Sequence, residues 1–131
     1  MTKISRDELK KRGITRFIKS FGYSVEGLKY AYKFEQSMMI HFIATIFVIA
    51  ANIILKVDTM AWLVTLLAIG MVLSAELINT AIEAVVDLVT EEYHPLAKVA
   101  KDTSAAAVLV FALVAVVVGL IIFIPKIIGL F

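Results

Sequence analysis

The sequence is defined first by what it lacks. It has no cysteine, which excludes disulfide bonds and thiolate metal sites. It has no glycine-rich phosphate loop of the Walker type, no catalytic loop of the soluble kinases and no His-Glu-x-x-His zinc pattern. No internal repeat or low-complexity segment is present. The common soluble-enzyme chemistries are therefore not indicated by any local motif.

Charged residues are also scarce for a folded domain. They make up 18% of the 131 residues, whereas hydrophobic residues make up 61%. The mean hydropathy of +0.94 is too high for an ordinary soluble domain. At this length we expect one compact unit over residues 1–131, embedded in a membrane.

Three long apolar stretches carry this prediction. They cover residues 38–55, 59–89 and 103–124. A helix needs about 20 apolar residues to cross a bilayer, so each stretch predicts a transmembrane helix. The second stretch is longer than that and becomes polar towards its end, so this end should emerge from the membrane. The predicted fold class is an all-α integral membrane protein with three transmembrane helices.

The N-terminal arm, residues 1–36, has a different character. Ile14, Phe17, Ile18 and Phe21 are spaced as on one face of an amphipathic helix. A similar period resumes after a predicted break at Phe21–Gly22. The arm is too polar to span a bilayer, so we expect a surface helix in the headgroup plane. The first apolar run begins too far along the chain for an ordinary signal peptide, and we expect no cleaved one.

Basic residues predict the orientation of the chain. Most of the Lys and Arg residues lie in the arm: Lys3, Arg6, Lys10, Lys11, Arg12, Arg16, Lys19, Lys29 and Lys33. Before a membrane segment such a cluster indicates a cytoplasmic side and anionic lipid rather than nucleic acid. Residues 56–58 should then be outside, residues 90–101 cytoplasmic, and the C-terminus outside.

Four polar residues interrupt the second apolar stretch in one register. Glu76, Asn79, Glu83 and Asp87 fall on one face of a helix, with Glu76 and Glu83 about 10 Å apart along its axis. Charges at membrane depth mark functional sites, because burying them is costly. Carboxylates with an amide can hold a hard cation, and one carboxylate can act as a base. The alternative interpretation is a purely structural set of interhelical hydrogen bonds.

Further polar residues lie near the predicted membrane surface. Lys101 and Asp102 suit either phosphate binding or an interfacial ion pair. Glu35 suits either a functional role or a helix-end charge at the interface, and His41 suits either a ligand or an interfacial hydrogen-bonding group. The connection also contains Glu91, Glu92, Tyr93 and His94, a pattern typical of a solvated loop.

Taken alone, these residues leave three functions open. One is an enzyme that acts on a lipid headgroup with a soluble cosubstrate. The second is a small oligomeric ion or proton pathway, which the clustering of acids at one membrane face disfavours. The third is a structural or assembly subunit.

A longer pattern is more specific. The segment 75–87, Ala-Glu-Leu-Ile-Asn-Thr-Ala-Ile-Glu-Ala-Val-Val-Asp, resembles the signature of the prokaryotic diacylglycerol kinase and undecaprenol kinase family. Residues 91–98 and Ala100-Lys101-Asp102 continue the resemblance, as do Phe17–Tyr23 and Gly27-Leu28 in the arm. The resemblance covers the chain from about residue 13.

The resemblance implies a homotrimer with active sites between subunits in the bacterial plasma membrane. It implies transfer of the γ-phosphate of ATP to a lipid hydroxyl, with Mg²⁺ as cofactor. Glu76 would be the catalytic base and would also contact the lipid with Arg16, while Asn79 would support the catalytic geometry. Glu35 and Glu83 would hold the metal. The implied nucleotide-binding residues are Arg16, Tyr23, Glu35, Glu83, Glu92, Tyr93, His94, Lys101 and Asp102.

The resemblance also bears on the lipid. Diacylglycerol-type members carry an acidic residue at the position of His41, whereas undecaprenol kinases of Gram-positive bacteria tend to have His there. The His-Pro-Leu-Ala-Lys segment from His94 and the helix end Gly119–Lys126 also resemble the undecaprenol kinases. We therefore expect undecaprenol as substrate, with diacylglycerol as the alternative.

Overall fold

A computed structural model describes residues 13–131. These residues form four helices: α1 (Ile14–Phe34), α2 (Gln36–Ile54), α3 (Thr59–Val89) and α4 (Pro95–Ile128). The described part of the chain contains no strand. The predictions made for the basic residues Lys3 to Arg12 concern a segment outside the described residues.

Three of the helices are long and apolar enough to cross a membrane. These are α2, α3 and α4. An 18-residue segment of each has a mean hydropathy of 2.1, 2.1 and 3.4, respectively. The prediction of an all-helical chain with three such segments is confirmed. The bounds of α3 are those of the second apolar stretch, 59–89.

Helix α1 does not contain the predicted break. It runs without interruption through Gly22 and Gly27, so the break predicted at Phe21–Gly22 was wrong. A glycine inside a helix costs only about 1 kcal/mol relative to alanine. The cost at Gly22 is therefore not enough to end a helix whose neighbours are helical.

The junction between α1 and α2 is the best packed part of the arm. Ala31 and Met38 are fully buried on either side of it. The rings of Tyr32 and Phe42 pack edge to face, with centroids 5.3 Å apart. Glu35, the single residue between the helices, donates its N–H to the carbonyl oxygen of Ala31 at 2.9 Å. This packing fixes the backbone position of Glu35 at the end of the bundle where α1 meets α2.

A tight turn joins α2 to α3. Lys56 adopts a left-handed backbone conformation with φ 47°. The Asp58 carboxylate then accepts a hydrogen bond from the N–H of Ala61 at 2.8 Å and caps α3. Above the turn, Asn52 Nδ2 donates to Thr65 Oγ1 at 2.7 Å between the helices.

Helix α3 packs most extensively against α4. Helix α4 extends beyond the apolar stretch 103–124 at both ends. It begins at Pro95, where proline is well suited to a first helical position and His94 Nδ1 accepts the N–H of Leu96. It continues through Pro125, whose carbonyl oxygen still accepts the N–H of Gly129 at 3.0 Å in the last turn.

Polar side chains occupy much of the interior. The buried polar residues are Asn52, Thr65, Glu76, Asn79, Thr80 and Ser104. Most of the large apolar side chains of α2, α3 and α4 point outwards. This distribution is the reverse of a soluble domain, and it places the three helices in an apolar surrounding.

Candidate functional site

The polar stripe of α3 passes from the interior of the bundle to its surface. Glu76 and Asn79 are 2% and 8% exposed. Glu83 is half-buried and Asp87 is exposed. The four residues therefore meet different surroundings although they share one helix face.

Two side chains from one turn of α2 face the Glu76 carboxylate, and one of them, Ser37, is hydrogen-bonded to it. The hydroxyl of Ser37 donates a hydrogen bond to Oε1 of Glu76. The Nε2 atom of His41 lies 3.8 Å from Oε2. Ser37 and His41 are four residues apart and therefore share a helix face. The carboxylate is thus fixed in direction, with each oxygen facing a different partner.

Asn79 joins the stripe to α4. Its Nδ2 donates to Oε1 of Glu83 at 3.2 Å. Its Oδ1 accepts from the hydroxyl of Ser104 at 2.7 Å. The same hydroxyl lies 2.9 Å from the carbonyl oxygen of Lys101, so its one proton is shared between two acceptors. Asn79 is thereby oriented from both sides.

Glu35 approaches the stripe from the α1–α2 junction. Burial raises the pKa of Glu35, and the negative charges of Glu83 and then Glu76 raise it further. These three carboxylates, which come from two elements, are therefore close enough to repel one another. Such a concentration of negative charge favours a cation or a proton.

A second group of predicted residues lines a cavity of about 370 Å³ where α3 ends and α4 begins. The structure brings together five of the predicted nucleotide-binding residues in the wall of this cavity: Glu92, Tyr93, His94, Lys101 and Asp102. Asp87 lines it as well.

The cations in this cavity pair in an arrangement that we did not predict. Lys101 Nζ lies 2.6 Å from Oδ1 of Asp87 on α3. Asp102 instead pairs closely with Lys98, one turn earlier on its own helix. The neighbours Lys101 and Asp102 therefore do not pair with each other, because successive residues on a helix point about 100° apart.

Two predicted residues stand apart from both groups. Arg16 and Tyr23 are exposed on α1, and neither lines the cavity at the α3–α4 connection. The single chain does not bring them to the other nucleotide-binding candidates.

An apolar groove of about 540 Å³ lies on the membrane-spanning part. His41, the residue beside Glu76, is part of its lining, and Phe123 and Ile127 of α4 lie towards the far end of that helix. The lining on α4 extends from Ala112 to Ile127, about 22 Å along the helix axis. A hydrocarbon chain in this groove would end close to the Glu76 carboxylate.

The sequence reasoning missed two residues, Ser37 and Ser104. Each is a single hydroxyl on a helix other than α3, with no motif of its own. The available signal was spacing: Ser37 is one turn before His41, and Ser104 is three residues after Lys101. Only the packing of α2 and α4 on α3 shows what these hydroxyls contact.

Together, the fold and the site define a class of protein: a helical membrane protein with a carboxylate cluster next to the α1–α2 junction. The family model for "Prokaryotic diacylglycerol kinase" matches residues 22–123. The chain belongs to this family, which confirms the resemblance noted above.

The similar proteins are kinases by name. The chain is 41% identical to undecaprenol kinase of Bacillus subtilis (strain 168) over 113 residues, 86% of this chain and 92% of the relative. It is 41% identical to diacylglycerol kinase of Synechocystis over 112 residues, 85% of this chain and 64% of the relative. It is 38% identical to diacylglycerol kinase of Escherichia coli (strain K12) over 105 residues, 80% of this chain and 86% of the relative. The chain is therefore a membrane lipid kinase that transfers phosphate from ATP.

Proposed function

We propose that this kinase phosphorylates undecaprenol, a long polyprenol, to undecaprenyl phosphate. The observation that carries the proposal is the position of Glu76. A buried carboxylate, oriented by Ser37, lies 3.8 Å behind His41, which lines the end of a long apolar groove nearest the predicted cytoplasmic border. A lipid hydroxyl held by its hydrocarbon chain would meet a base at this point.

Glu76 would take the proton of the lipid hydroxyl while the hydroxyl oxygen of the lipid attacks the γ-phosphorus of ATP. The bond between the γ-phosphorus and the bridging oxygen then breaks, and ADP leaves. Because Ser37 occupies Oε1, Oε2 is the oxygen better placed for the proton. Asn79 is hydrogen-bonded to both Glu83 and Ser104. It would keep the base Glu76 and the phosphate-binding residues at a constant relative position.

The carboxylates next to Asn79 suit a magnesium ion. Among residues 13–131, no group of three or more His, Cys, Asp or Glu side chains is arranged to hold a metal by itself. Magnesium in kinases is usually held by one or two carboxylates together with substrate phosphates. Glu35 and Glu83 supply two oxygen donors whose mutual repulsion a dication would relieve. When bound, Mg²⁺ would neutralise charge on the transferred phosphoryl group.

The cavity between α3 and α4 is the proposed nucleotide side. Lys101 would face the phosphates, and Glu92, Tyr93, His94 and Asp102 would surround the rest of the nucleotide. Arg16 and Tyr23 do not line this cavity within one chain. Their proposed roles are compatible with a homotrimer in which α1 of one subunit completes the site of its neighbour.

The proposed orientation places the arm and the connection 90–94 in the cytoplasm and the C-terminus outside. The basic arm supports this assignment. The same orientation puts Glu35, Glu83 and the cavity on the side where ATP is found.

Undecaprenol is favoured over diacylglycerol by two observations. The relative with that name is aligned over 92% of its length. The groove, about 22 Å long, covers about three quarters of a 30 Å hydrocarbon core, which suits a long single chain. Diacylglycerol is the second candidate, supported by the names of the other relatives.

The test is a side-by-side assay with purified protein in lipid nanodiscs, Mg²⁺ and labelled ATP. Undecaprenol and diacylglycerol are supplied separately, and the labelled lipids are separated by chromatography. We expect faster turnover of undecaprenol, and Glu76→Gln should abolish turnover of both lipids while the assembly stays intact. Glu26→Gln, which neutralises an exposed acid on α1, is the matched control and should retain activity.

Each outcome of this assay decides a separate point. Equal or faster turnover of diacylglycerol would overturn the substrate proposal. Full activity of Glu76→Gln would overturn its role as base. Proton or cation flux into liposomes without ATP would favour the ion-pathway alternative.

A further inference from the structure

Asp87 is the one member of the α3 stripe to which the mechanism above gives no task. It lies one turn beyond Glu83 and close to the end of α3 at Val89. Its side chain is 57% exposed, and its Oδ1 lies 2.6 Å from Nζ of Lys101. This contact joins the last turns of α3 to the second turn of α4 across the nucleotide cavity.

The contact is selective. Lys101 has an acidic neighbour in sequence, Asp102, but that carboxylate pairs with Lys98. The Lys101 backbone lies inside the continuous helix α4, and its carbonyl oxygen is 2.9 Å from the Ser104 hydroxyl. The ammonium of Lys101 is thus held towards α3 by Asp87, close to the place where Ser104 bonds to Asn79 of the same helix.

The geometry points to Asp87 as a positioning residue for Lys101, an inference that rests on the proposed function of the site. An ammonium group has three donors, and Asp87 takes one of them. The remaining donors stay available on the cavity side. Asp87 therefore holds the ammonium in the cavity before the nucleotide binds. Lys101 is then already oriented towards the phosphate oxygen that it contacts.

This role predicts an effect opposite in sign to simple electrostatics. A carboxylate next to a phosphate site repels the nucleotide, so removal of its charge alone would lower the KM for ATP. A lysine side chain that loses its anchor gains rotamer freedom, which has to be lost again on binding. Loss of the positioning effect raises the KM for ATP and leaves kcat near its original value, because bound phosphate itself holds the ammonium.

The test is Asp87→Asn in the nanodisc assay with saturating lipid and varied Mg-ATP. We expect the KM for ATP to rise about two- to fivefold, the range set by exposed ion pairs of this kind. The KM for lipid should not change, and Asp87→Glu should restore most of the loss. An unchanged or lower KM for ATP in Asp87→Asn would overturn the inference.

A double substitution separates positioning from a general loosening of the helices. Binding of a non-hydrolysable ATP analogue with Mg²⁺ is measured by calorimetry for Asp87→Asn, Lys101→Met and the pair together. If Asp87 acts through Lys101, Asp87→Asn has no further effect in the Lys101→Met protein. An equal effect in both backgrounds would show that Asp87 acts elsewhere. Glu26→Gln again provides the control for loss of an exposed acid. Failure of the parent protein to phosphorylate any lipid would overturn the proposed function instead, which keeps the two results distinct.

Discussion

Ser104→Ala isolates one hydrogen bond in the site. The hydroxyl of Ser104 is the donor to Oδ1 of Asn79 at 2.7 Å, and Asn79 in turn donates to Glu83. Both Ser104 and Asn79 are at most 8% exposed, so water does not readily replace the lost donor. Alanine therefore leaves the amide oriented from one side only.

The expected magnitude follows from hydrogen bonds between membrane helices. Their measured contributions average about 0.6 kcal/mol and reach about 1.7 kcal/mol. If the loss of this hydrogen bond raises the activation free energy by its whole contribution, kcat falls about threefold to twentyfold. The same loss should lower the melting temperature slightly, since one contact between α3 and α4 is removed.

The assay measures kcat and KM for both substrates beside thermal unfolding in the same nanodiscs. Thr103→Ala, which removes an exposed hydroxyl one residue earlier on α4, is the control. The reasoning is refuted if Ser104→Ala retains full kcat and stability. It is also refuted if the substitution costs as much in an Asn79→Ala protein, because the partner is then already absent.

Two further predictions concern charge and polarity inside the bundle. The raised pKa of Glu35 means that the folded protein binds this proton more tightly than the unfolded chain, so the associated stability is present at low pH and is lost as pH rises through the raised value. Glu35→Gln should therefore raise the melting temperature of the magnesium-free protein at neutral pH and reduce the gain from Mg²⁺ with an ATP analogue; a lower melting temperature at neutral pH would contradict the cause given for the shift. Asn52, whose buried Oδ1 has no hydrogen-bond partner among the described residues, should tolerate Asn52→Leu with little change in melting temperature. Thr65 keeps its bond to the Ala61 carbonyl oxygen, and a large loss of stability in Asn52→Leu would show that the amide has a partner in the assembled protein.

Periodicity predicted the parts of this protein that depend on one helix at a time. The length of α3 follows from hydropathy. The common face of Glu76, Asn79 and Glu83 follows from the helical rotation of about 100° per residue. These features repeat along the chain, so a single sequence is enough to detect them.

Contacts between helices were not predictable in the same way. Nothing in the spacing of Ser37 or Ser104 indicates which carboxylate or amide each hydroxyl contacts. The partner of Lys101 is a similar case, because Asp102 is adjacent in sequence while Asp87 is adjacent in space. Such choices depend on the crossing of α3 with α2 and α4, and many crossings are compatible with the same apolar stretches.

The unbroken course of α3 has a consequence for how catalysis is organised. Glu76 and Glu83 lie on the same continuous helix, so the separation between the proposed base and the proposed metal ligand is set by helical rise, about 10 Å. Enzymes with lids or mobile lobes adjust such a separation in every cycle. Here the unbroken helix keeps this separation constant. In the proposed function, the lipid hydroxyl has to reach the depth of Glu76 and the nucleotide that of Glu83. Selectivity for the lipid then depends on which hydrocarbon chain delivers its hydroxyl to the depth of Glu76.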